Sequence, residues 1–202
     1  MVFFCSDLEG VFVPEVWINV AKITGIDELK LATRDISDYN VLMNRRISIL
    51  KEHNITLKDI QDVIRQIKPL EGAREFIHWL RSVSQIVIVS DTFKEFAQPL
   101  MEQLDYPTLF CNSLTIDGDG MIVNYNLRQQ NQKREVVRAL KSLNYNVIAF
   151  GDSYNDISML KEANKGILFR PPQNVINDYP EFPVVTEYEE LKKLLTNFID
   201  ME

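Results

Sequence analysis

Three short apolar runs, rich in β-branched and aromatic side chains, recur along the chain, and each ends in small or acidic polar residues. These runs occupy positions 2–5, 86–89 and 147–150. Continuous apolar runs of this kind are typical of strands buried on both faces of a parallel sheet. Helical apolar periodicity lies between and beside them, at positions 73–83, 93–104 and 155–164. Strands that alternate with helices predict right-handed βαβ units and therefore a doubly wound α/β core.

Weaker signals extend the predicted sheet. Further short strands are expected at positions 108–111, 166–169 and, as an edge strand, 183–186. The segments 114–116 and 121–127 flank Asp117-Gly118-Asp119-Gly120. Because Asp and Gly tolerate the positive φ of tight turns, this sequence predicts a β-hairpin.

The stretch from residue 14 to residue 70 differs, because its apolar residues recur at helical spacing. Such stripes occur at positions 16–23, 41–50 and 60–67. The helix that should return from the first strand begins only after Pro69, and proline is a natural element boundary. The pattern therefore predicts a small helical cap, residues 14–70, inserted into an α/β core made of residues 1–13 and 71–202.

Composition limits the partners and the compartment. With 202 residues and 46% hydrophobic content, the chain can bury one core with an insertion. A net charge of -7 argues against a nucleic-acid partner, whose binding depends on Lys and Arg. Cys5 and Cys111 lie in apolar runs, which indicates small buried side chains in a reducing compartment rather than a disulfide. No basic signal-peptide region and no apolar stretch of ~18 residues occurs, so we expect a cytoplasmic protein without a membrane partner.

Four acidic residues follow predicted strands and suggest a metal site. Asp7 and Glu9 come directly after the first run, and Asp152 and Asp156 follow the third. Ligands bind at the carboxyl ends of parallel strands, where an aspartate can be a nucleophile or a magnesium ligand. Asp7 and Asp152 on neighbouring strand ends would suit Mg²⁺, which often takes one or two protein carboxylates. Each acid alone could instead be an ordinary helix cap or first-turn acid.

Two further positions suggest phosphate binding. Ser90 ends the second run before Asp91 and Thr92, where a hydroxyl and turn amides could grip a phosphate oxygen. An ordinary N-cap is the alternative. Lys133 lies on the first turn of a predicted helix, although cations favour the C-terminal end. That misplaced charge indicates a functional lysine, whereas most surface lysines are only solvated.

In order along the chain, these residues resemble the four motifs of haloacid dehalogenase superfamily phosphatases. The matching segments are Asp7-Leu8-Glu9-Gly10, Ser90-Asp91-Thr92, Lys133 and Gly151-Asp152-Ser153-Tyr154-Asn155-Asp156. The chain is also similar to the phosphoserine phosphatase subgroup with homoserine phosphotransferase activity, through Val13-Pro14-Glu15, Thr33-Arg34-Asp35-Ile36 and Pro69-Leu70-Glu71-Gly72-Ala73. The resemblance covers nearly the whole chain, and it implies a Rossmann-like core and a phosphoserine-type substrate.

The resemblance implies catalytic and metal-binding roles. Asp7 would attack phosphorus to form an aspartyl phosphate, while Glu9 would protonate the leaving alkoxide and later activate the acceptor. Mg²⁺ would be held by Asp7, Asp152 and the backbone carbonyl of Glu9. Asp156 would orient the waters of the metal or Lys133.

It also implies substrate contacts. Phosphoryl oxygens would be bound by Ser90 and Lys133. Asp91 and Thr92 would also belong to the substrate-binding site, and Asn155 would contact phosphate or substrate. Glu15 and Arg46 would pair with the amino and carboxylate groups of phosphoserine, since arginine can bind a carboxylate bidentately. The alternative for Arg46 is a solvated helix face shared with Arg45.

Glu9 departs from the superfamily pattern, in which most members have a second aspartate at this position. Glutamate is longer by one methylene. The extra reach could admit an acceptor larger than water beside the aspartyl phosphate, consistent with transfer to homoserine.

The sequence thus predicts a magnesium-dependent phosphoserine phosphatase. Transfer of the phosphoryl group to homoserine is a second activity that the sequence allows. A phosphatase for another small phosphorylated metabolite is one alternative, and a catalytically silent metabolite-binding scaffold is another. A receiver-like signalling module would share the acids, hydroxyl and lysine. However, such a module needs neither an enclosed chamber nor an acid, such as Glu9, that expels an alkoxide. The oligomeric state is not determined by the sequence.

Overall fold

The computed structural model describes residues 1–32, 35–36 and 38–200. Two residues of one predicted motif, Thr33 and Arg34, lie outside this part of the chain. The strands are β1 (Val2–Ser6), β2 (Gln85–Phe93), β3 (Leu109–Ile116), β4 (Ile122–Asn126), β5 (Asn146–Gly151), β6 (Lys165–Phe169) and β7 (Val184–Val185).

Helices connect these strands. They are α1 (Val16–Thr24), α2 (Tyr39–Glu52), α3 (Leu57–Ile64), α4 (Ala73–Val83), α5 (Lys94–Gln103), α6 (Gln132–Ser142), α7 (Ile157–Glu162), α8 (Gln173–Asp178) and α9 (Tyr188–Asp200). Two 3₁₀ helices lie at Asp27–Lys30 and Tyr154–Asp156.

The strands form one sheet in the order β4-β3-β2-β1-β5-β6-β7. All neighbours pair in parallel except β3 and β4, which form the antiparallel hairpin expected around Asp117. The chain order reverses between β1 and β5, so the carboxyl ends of these strands form the switch point where such sheets bind ligands. The prediction of a doubly wound α/β core is confirmed.

Both faces of the sheet are covered, which explains the continuous apolar runs. In β2, Ile86 and Ile88 face a large apolar cluster that includes α4, α5 and α9. Val87 and Val89 face a second cluster, formed with α6, α7 and α8. Successive residues of a strand point to opposite faces, so a strand buried on both sides must be apolar at every position.

Helices α1, α2 and α3 lie between β1 and α4, in the stretch where the pattern predicts helices. Their fully buried residues Val20, Leu50 and Ile60 belong to the large cluster of the core. The backbone N–H of Leu70 donates to the carbonyl of Phe12 at 2.9 Å, which joins the two ends of this helical insertion. The exact division between a core of 1–13 and 71–202 and a cap of 14–70 stays a prediction.

The predicted segments 108–111 and 114–116 form one strand, β3, and two boundaries near the candidate site also differ from the prediction. Strand β2 continues through Ser90 to Phe93, and its pairing with β3 shifts register between Val89 and Phe93. The predicted helix at 155–164 is shorter, because the 3₁₀ helix Tyr154–Asp156 precedes α7. Both deviations occur at strand ends that carry the candidate chemistry.

The cysteines also differ in part from expectation. Cys5 is buried, whereas Cys111 is only half-buried because β3 lies next to the edge strand. Both thiols are free. Within the described residues, no helix is long and apolar enough to cross a membrane.

Candidate active site

The end of β1 places Asp7 beside a buried lysine. Lys133, on the first turn of α6, lies 2.9 Å from Oδ2 of Asp7 and 2.7 Å from Oδ1 of Asp156. All three residues are buried. Although burial lowers the pKa of Lys133, the charges of Asp156 and Asp7 raise it well above its ordinary value. Lys133 is unfavourably placed with respect to the helix dipole, and the two carboxylates compensate its positive charge.

Asp156 organises the turn after β5. Its Oδ2 accepts hydrogen bonds from the backbone N–H groups of Asp152 and Ser153, both at 3.0 Å. A Cβ on Gly151 would collide with the carboxylate of Asp156, so glycine is required there. Both carboxylate oxygens of Asp156 are therefore engaged, one by Lys133 and one by this turn. This agrees with a supporting role.

The acids form a cluster that could hold a metal ion. Carboxylate oxygens of Asp7, Asp152 and Asp156 lie within 4.8 Å of one another. Gly10 has φ +74°, and a Cβ there would collide with the Asp152 carboxylate. Position 10 must therefore be glycine if the loop after β1 is to lie this close to Asp152.

The charge balance of this cluster also favours a cation. Burial, and next the charge of Asp156, raise the pKa of Asp7 to about 8, although Lys133 opposes the shift. The same two causes raise the pKa of Asp152 to about 9. Three acidic groups thus face one lysine, and a divalent cation would offset the mutual repulsion that disfavours their ionised forms. Oxygen ligands suit Mg²⁺, so the residues present fit this ion.

The Ser90-Asp91-Thr92 segment is held in place by hydrogen bonds from the side chains of Gln132 and Asn112. Gln132, next to Lys133, donates to the carbonyl of Ser90 at 2.8 Å and to Oδ1 of Asp91 at 3.0 Å. Asn112 on β3 donates to the carbonyl of Asp91 at 3.1 Å. The backbone N–H of Thr92 donates to Oγ of Ser90 at 3.2 Å. One helix start therefore positions both predicted phosphate-binding groups, Lys133 and Ser90.

Glu9 lies where the helical insertion begins. Its Oε2 accepts a hydrogen bond from the backbone N–H of Val16 at 2.8 Å. Burial, followed by the charge of Glu15, raises the pKa of Glu9 to about 8. A carboxyl group with this pKa holds a proton at neutral pH, which a general acid needs.

Arg46 and Arg45 differ in their surroundings. Arg46 is buried, whereas Arg45 is exposed and lies 3.4 Å from Glu28. Nη2 of Arg46 donates to the carbonyl of Leu31 at 2.7 Å, and its Nε has no hydrogen-bond partner among the residues that the structure describes. Burial lowers its pKa to about 10, so the side chain stays charged at neutral pH. The solvated-face alternative thus fits Arg45 and does not fit Arg46.

A cavity of about 520 Å³ joins these groups. The predicted residues that line it are Asp7, Glu9, Glu15, Arg46, Ser90, Asp91, Thr92, Lys133 and Asn155. Asp152 and Asp156 lie in the adjoining acidic cluster.

Sequence reasoning missed several lining residues, including Trp17, Tyr39, Leu42, Tyr154, Asn174 and Val175. Trp17 and Leu42 belong to the apolar stripes that predicted helices, and their pattern alone does not separate core from cavity. Asn174 follows β6, so the rule on strand ends could have found it.

These features are those of a known enzyme family. A sequence model of the haloacid dehalogenase-like hydrolases matches residues 13–164. The chain therefore belongs to the haloacid dehalogenase-like hydrolase family, and the prediction of an enzyme is confirmed.

Two relatives with high sequence identity are both phosphoserine phosphatases. The chain is 60% identical to phosphoserine phosphatase ThrH of Pseudomonas aeruginosa over 94% of this chain and 92% of the relative. It is 58% identical to a phosphoserine phosphatase of Pseudomonas syringae pv. tomato over 94% of this chain and 80% of the relative. The predicted resemblance to phosphoserine phosphatases is thus confirmed.

A solved structure shares the fold. It is described as a phospho-aspartyl intermediate analogue of phosphoserine phosphatase, with TM-score 0.78 and 22% identity, covering 95% of this chain and 97% of that one. At this identity the likeness supports the Rossmann-like architecture alone.

Proposed function

We propose that this chain is a magnesium-dependent phosphoserine phosphatase that acts through an aspartyl phosphate on Asp7. The observation that carries the proposal is one cavity with complementary ends. Asp7 and Lys133 lie at its core end, and Arg46 and Glu15 come from the helical insertion. Relatives that share about three fifths of its residues are named phosphoserine phosphatases.

In the first step, a carboxylate oxygen of Asp7 attacks phosphorus and forms the aspartyl phosphate. The bond between phosphorus and the serine oxygen breaks, and Glu9 gives its proton to that oxygen. The raised pKa of Glu9 suits a general acid. Lys133 and the Ser90 hydroxyl stabilise the charge on the phosphoryl oxygens, a preorganised electrostatic contribution.

In the second step, water attacks the phosphorus of the aspartyl phosphate. Glu9, now ionised, takes the proton of that water, and the bond between phosphorus and Asp7 breaks. Inorganic phosphate leaves and both acids return to their initial protonation states. The chain thereby uses one carboxyl group first as acid and then as base.

Asp7, Asp152 and the backbone carbonyl of Glu9 would hold Mg²⁺. When bound, the ion would lower the raised pKa of its ligand Asp7, so that Asp7 is ionised while Glu9 keeps its proton, and it would reduce the repulsion between this carboxylate and a phosphate dianion. Asp156 keeps Lys133 and the Asp152 turn in place.

Substrate selection rests on the helical insertion. Arg46 binds the carboxylate of phosphoserine, for which its Nε, without a partner among the described residues, supplies a donor. Glu15, exposed at the start of α1, accepts from the ammonium group. The opposite charges of these residues fit a zwitterion.

Transfer to homoserine is the second activity that we propose. The cavity of about 520 Å³ offers room for an acceptor beside Glu9 and Asp7. Glu9→Asp should lower the ratio of transfer to hydrolysis, since it shortens the reach of the base. An unchanged ratio with homoserine present would contradict this role for the extra methylene.

Phosphorus NMR tests both activities. The protein is incubated with Mg²⁺ and phosphoserine, with and without homoserine, and Asp7→Asn serves as the control. We expect free phosphate in both samples, phosphohomoserine in the second, and neither product with Asp7→Asn or with excess chelator. No turnover of phosphoserine would reject the substrate, and full activity of Asp7→Asn would reject the intermediate. We place the enzyme in the cytoplasm, whose reducing conditions suit its free thiols.

A further inference from the structure

Trp17 connects the helical insertion to the cavity. It lies on α1, is half-buried and lines the cavity. The guanidinium carbon of Arg46, on α2, is 4.4 Å from the centre of the Trp17 ring. A cation over an aromatic face is attracted by the quadrupole of the ring, and the attraction strengthens when water is excluded. Two helices of the insertion therefore meet at a desolvated cation–π contact.

Few other contacts fix the guanidinium. Its Nη2 donates to the Leu31 carbonyl, and its Nη1 makes a weak contact with Sδ of Met43 at 3.7 Å. The residue is only 7% exposed, and its Nε is buried without a partner in the described part of the chain. An arginine has several rotatable bonds, so its fork must be held in place if it is to pair with a ligand in one orientation. The face of Trp17 supplies that support.

Trp17 is itself braced by the core. Its ring meets the edge of Phe96 at a centroid distance of 5.4 Å and an interplanar angle of 70°. Phe96 in turn packs on Phe93 at 5.5 Å and 88°. Phe93 ends β2, directly after Thr92 of the predicted phosphate-binding segment. The ring that supports Arg46 is thus anchored to the strand that presents the phosphate-binding residues.

We propose that Trp17 is a positioning residue that determines specificity, because it holds the Arg46 guanidinium for the carboxylate of the substrate. The inference rests on the proposed function and deepens it. By holding Arg46, Trp17 makes the enzyme prefer phosphomonoesters that carry a carboxylate, as phosphoserine does. Otherwise similar esters without a carboxylate are turned over less efficiently.

The test compares phosphoserine with phosphoethanolamine, which keeps the phosphate and ammonium groups and lacks the carboxylate. The readout is the ratio of the two kcat/KM values. Trp17→Leu should lower this ratio about tenfold, since the aromatic face is lost, and Trp17→Phe should restore most of it. Trp79→Leu is the matched control, because Trp79 is also half-buried, carries Lys192 over its ring at 5.4 Å and lies outside the cavity lining. Its ratio should equal that of the wild type.

A double-mutant cycle with Arg46→Ala shows whether Trp17 acts through Arg46. In the Arg46→Ala background, Trp17→Leu should have no further effect on the ratio. A ratio unchanged by Trp17→Leu, a loss that Trp17→Phe does not restore, or a loss that persists without Arg46 would each overturn the role of Trp17 and leave the proposed function intact. A wild-type enzyme without preference for phosphoserine would overturn the proposed substrate and the role of Trp17 together.

Discussion

The two ends of the cavity hold a buried cation in different ways. At the core end, Lys133 lies between the carboxylates of Asp7 and Asp156, at 2.9 and 2.7 Å. At the end formed by the helical insertion, Arg46 lies over the ring of Trp17, and its buried Nε has no partner within residues 1–32, 35–36 and 38–200. An unpaired buried donor costs free energy, which a ligand can recover by accepting from it. The charge of Lys133 is therefore compensated within the protein, whereas the substrate would complete the surroundings of Arg46 at the proposed selection end.

Removal of the compensated cation should have the largest effect. Lys133→Ala leaves the buried carboxylates of Asp7 and Asp156 facing each other, which should lower the free energy of unfolding by about 3 kcal/mol. The same change removes charge stabilisation and should lower kcat about 10³-fold. Urea unfolding and steady-state kinetics measure the two effects.

The control for this change is Lys58→Ala. Lys58 also pairs with a carboxylate, Asp62 at 2.7 Å, but its side chain is 79% exposed. Its removal should change stability by less than about 0.5 kcal/mol. Equal losses of stability in the two variants would contradict the expected difference between a buried lysine paired with two carboxylates and an exposed ion pair.

Two glycines with the same backbone conformation sharpen the role of the acidic cluster. Gly10 and Gly25 both have φ +74°. A Cβ at Gly10 would collide with Asp152, whereas a Cβ at Gly25 would have no described residue within 4 Å. Alanine at either position should cost about 1–2 kcal/mol of backbone strain. Gly10→Ala should also displace Asp152 and weaken Mg²⁺ affinity about tenfold to a hundredfold, as loss of a supporting group does.

Isothermal titration with Mg²⁺ and thermal unfolding separate the two effects. Gly25→Ala should match Gly10→Ala in backbone strain and retain the wild-type affinity for the ion. Wild-type Mg²⁺ affinity in Gly10→Ala would contradict the assignment of Asp152 as a ligand.

Gln132 should matter less than Lys133, because it acts on the phosphate through Ser90 and Asp91. Gln132→Leu removes donors to both residues and should raise KM and the inhibition constant of inorganic phosphate about tenfold. Gln103→Leu is the control, since its amide also donates to a backbone carbonyl, that of Ile67 at 3.0 Å, outside the cavity. Similar inhibition constants for both variants would show that the Ser90 segment does not need this network.

The smallest effect is expected at an exposed cluster away from the site. Arg74 and His78 hydrogen-bond the carboxylate of Asp105 and lower its pKa to about 2. A lowered pKa adds stability above the pKa of the unfolded state, near 3.9, and that stability is lost as pH falls through the folded value. Asp105→Asn should therefore flatten the pH dependence of unfolding between about pH 4 and pH 2. An unaltered acid unfolding curve would contradict the shift.

The sequence by itself determined the periodic part of the fold and the residues at strand ends. The apolar runs made β1, β2 and β5 recognisable, and Asp7, Ser90 and Asp152 follow from where those runs end, although β2 itself continues past Ser90 to Phe93. The helical insertion was recognisable for the same reason, since its stripes have a period of 3.6 residues. Glu15 and Arg46 came only from family resemblance, because nothing local distinguishes Arg46 from Arg45.

Only the tertiary structure decided which of these side chains share a cavity and what each contacts. Arg46 is buried and Arg45 is exposed, and it is the guanidinium of Arg46 that lies over the ring of Trp17. Gln132 reaches Ser90 across 42 positions of sequence, and Trp17 meets Phe96 across the boundary between the insertion and the core. Periodicity depends on neighbours along the chain, whereas these contacts depend on how whole helices pack against the sheet. The different surroundings of Lys133 and Arg46 at the two ends of the cavity therefore result from tertiary packing.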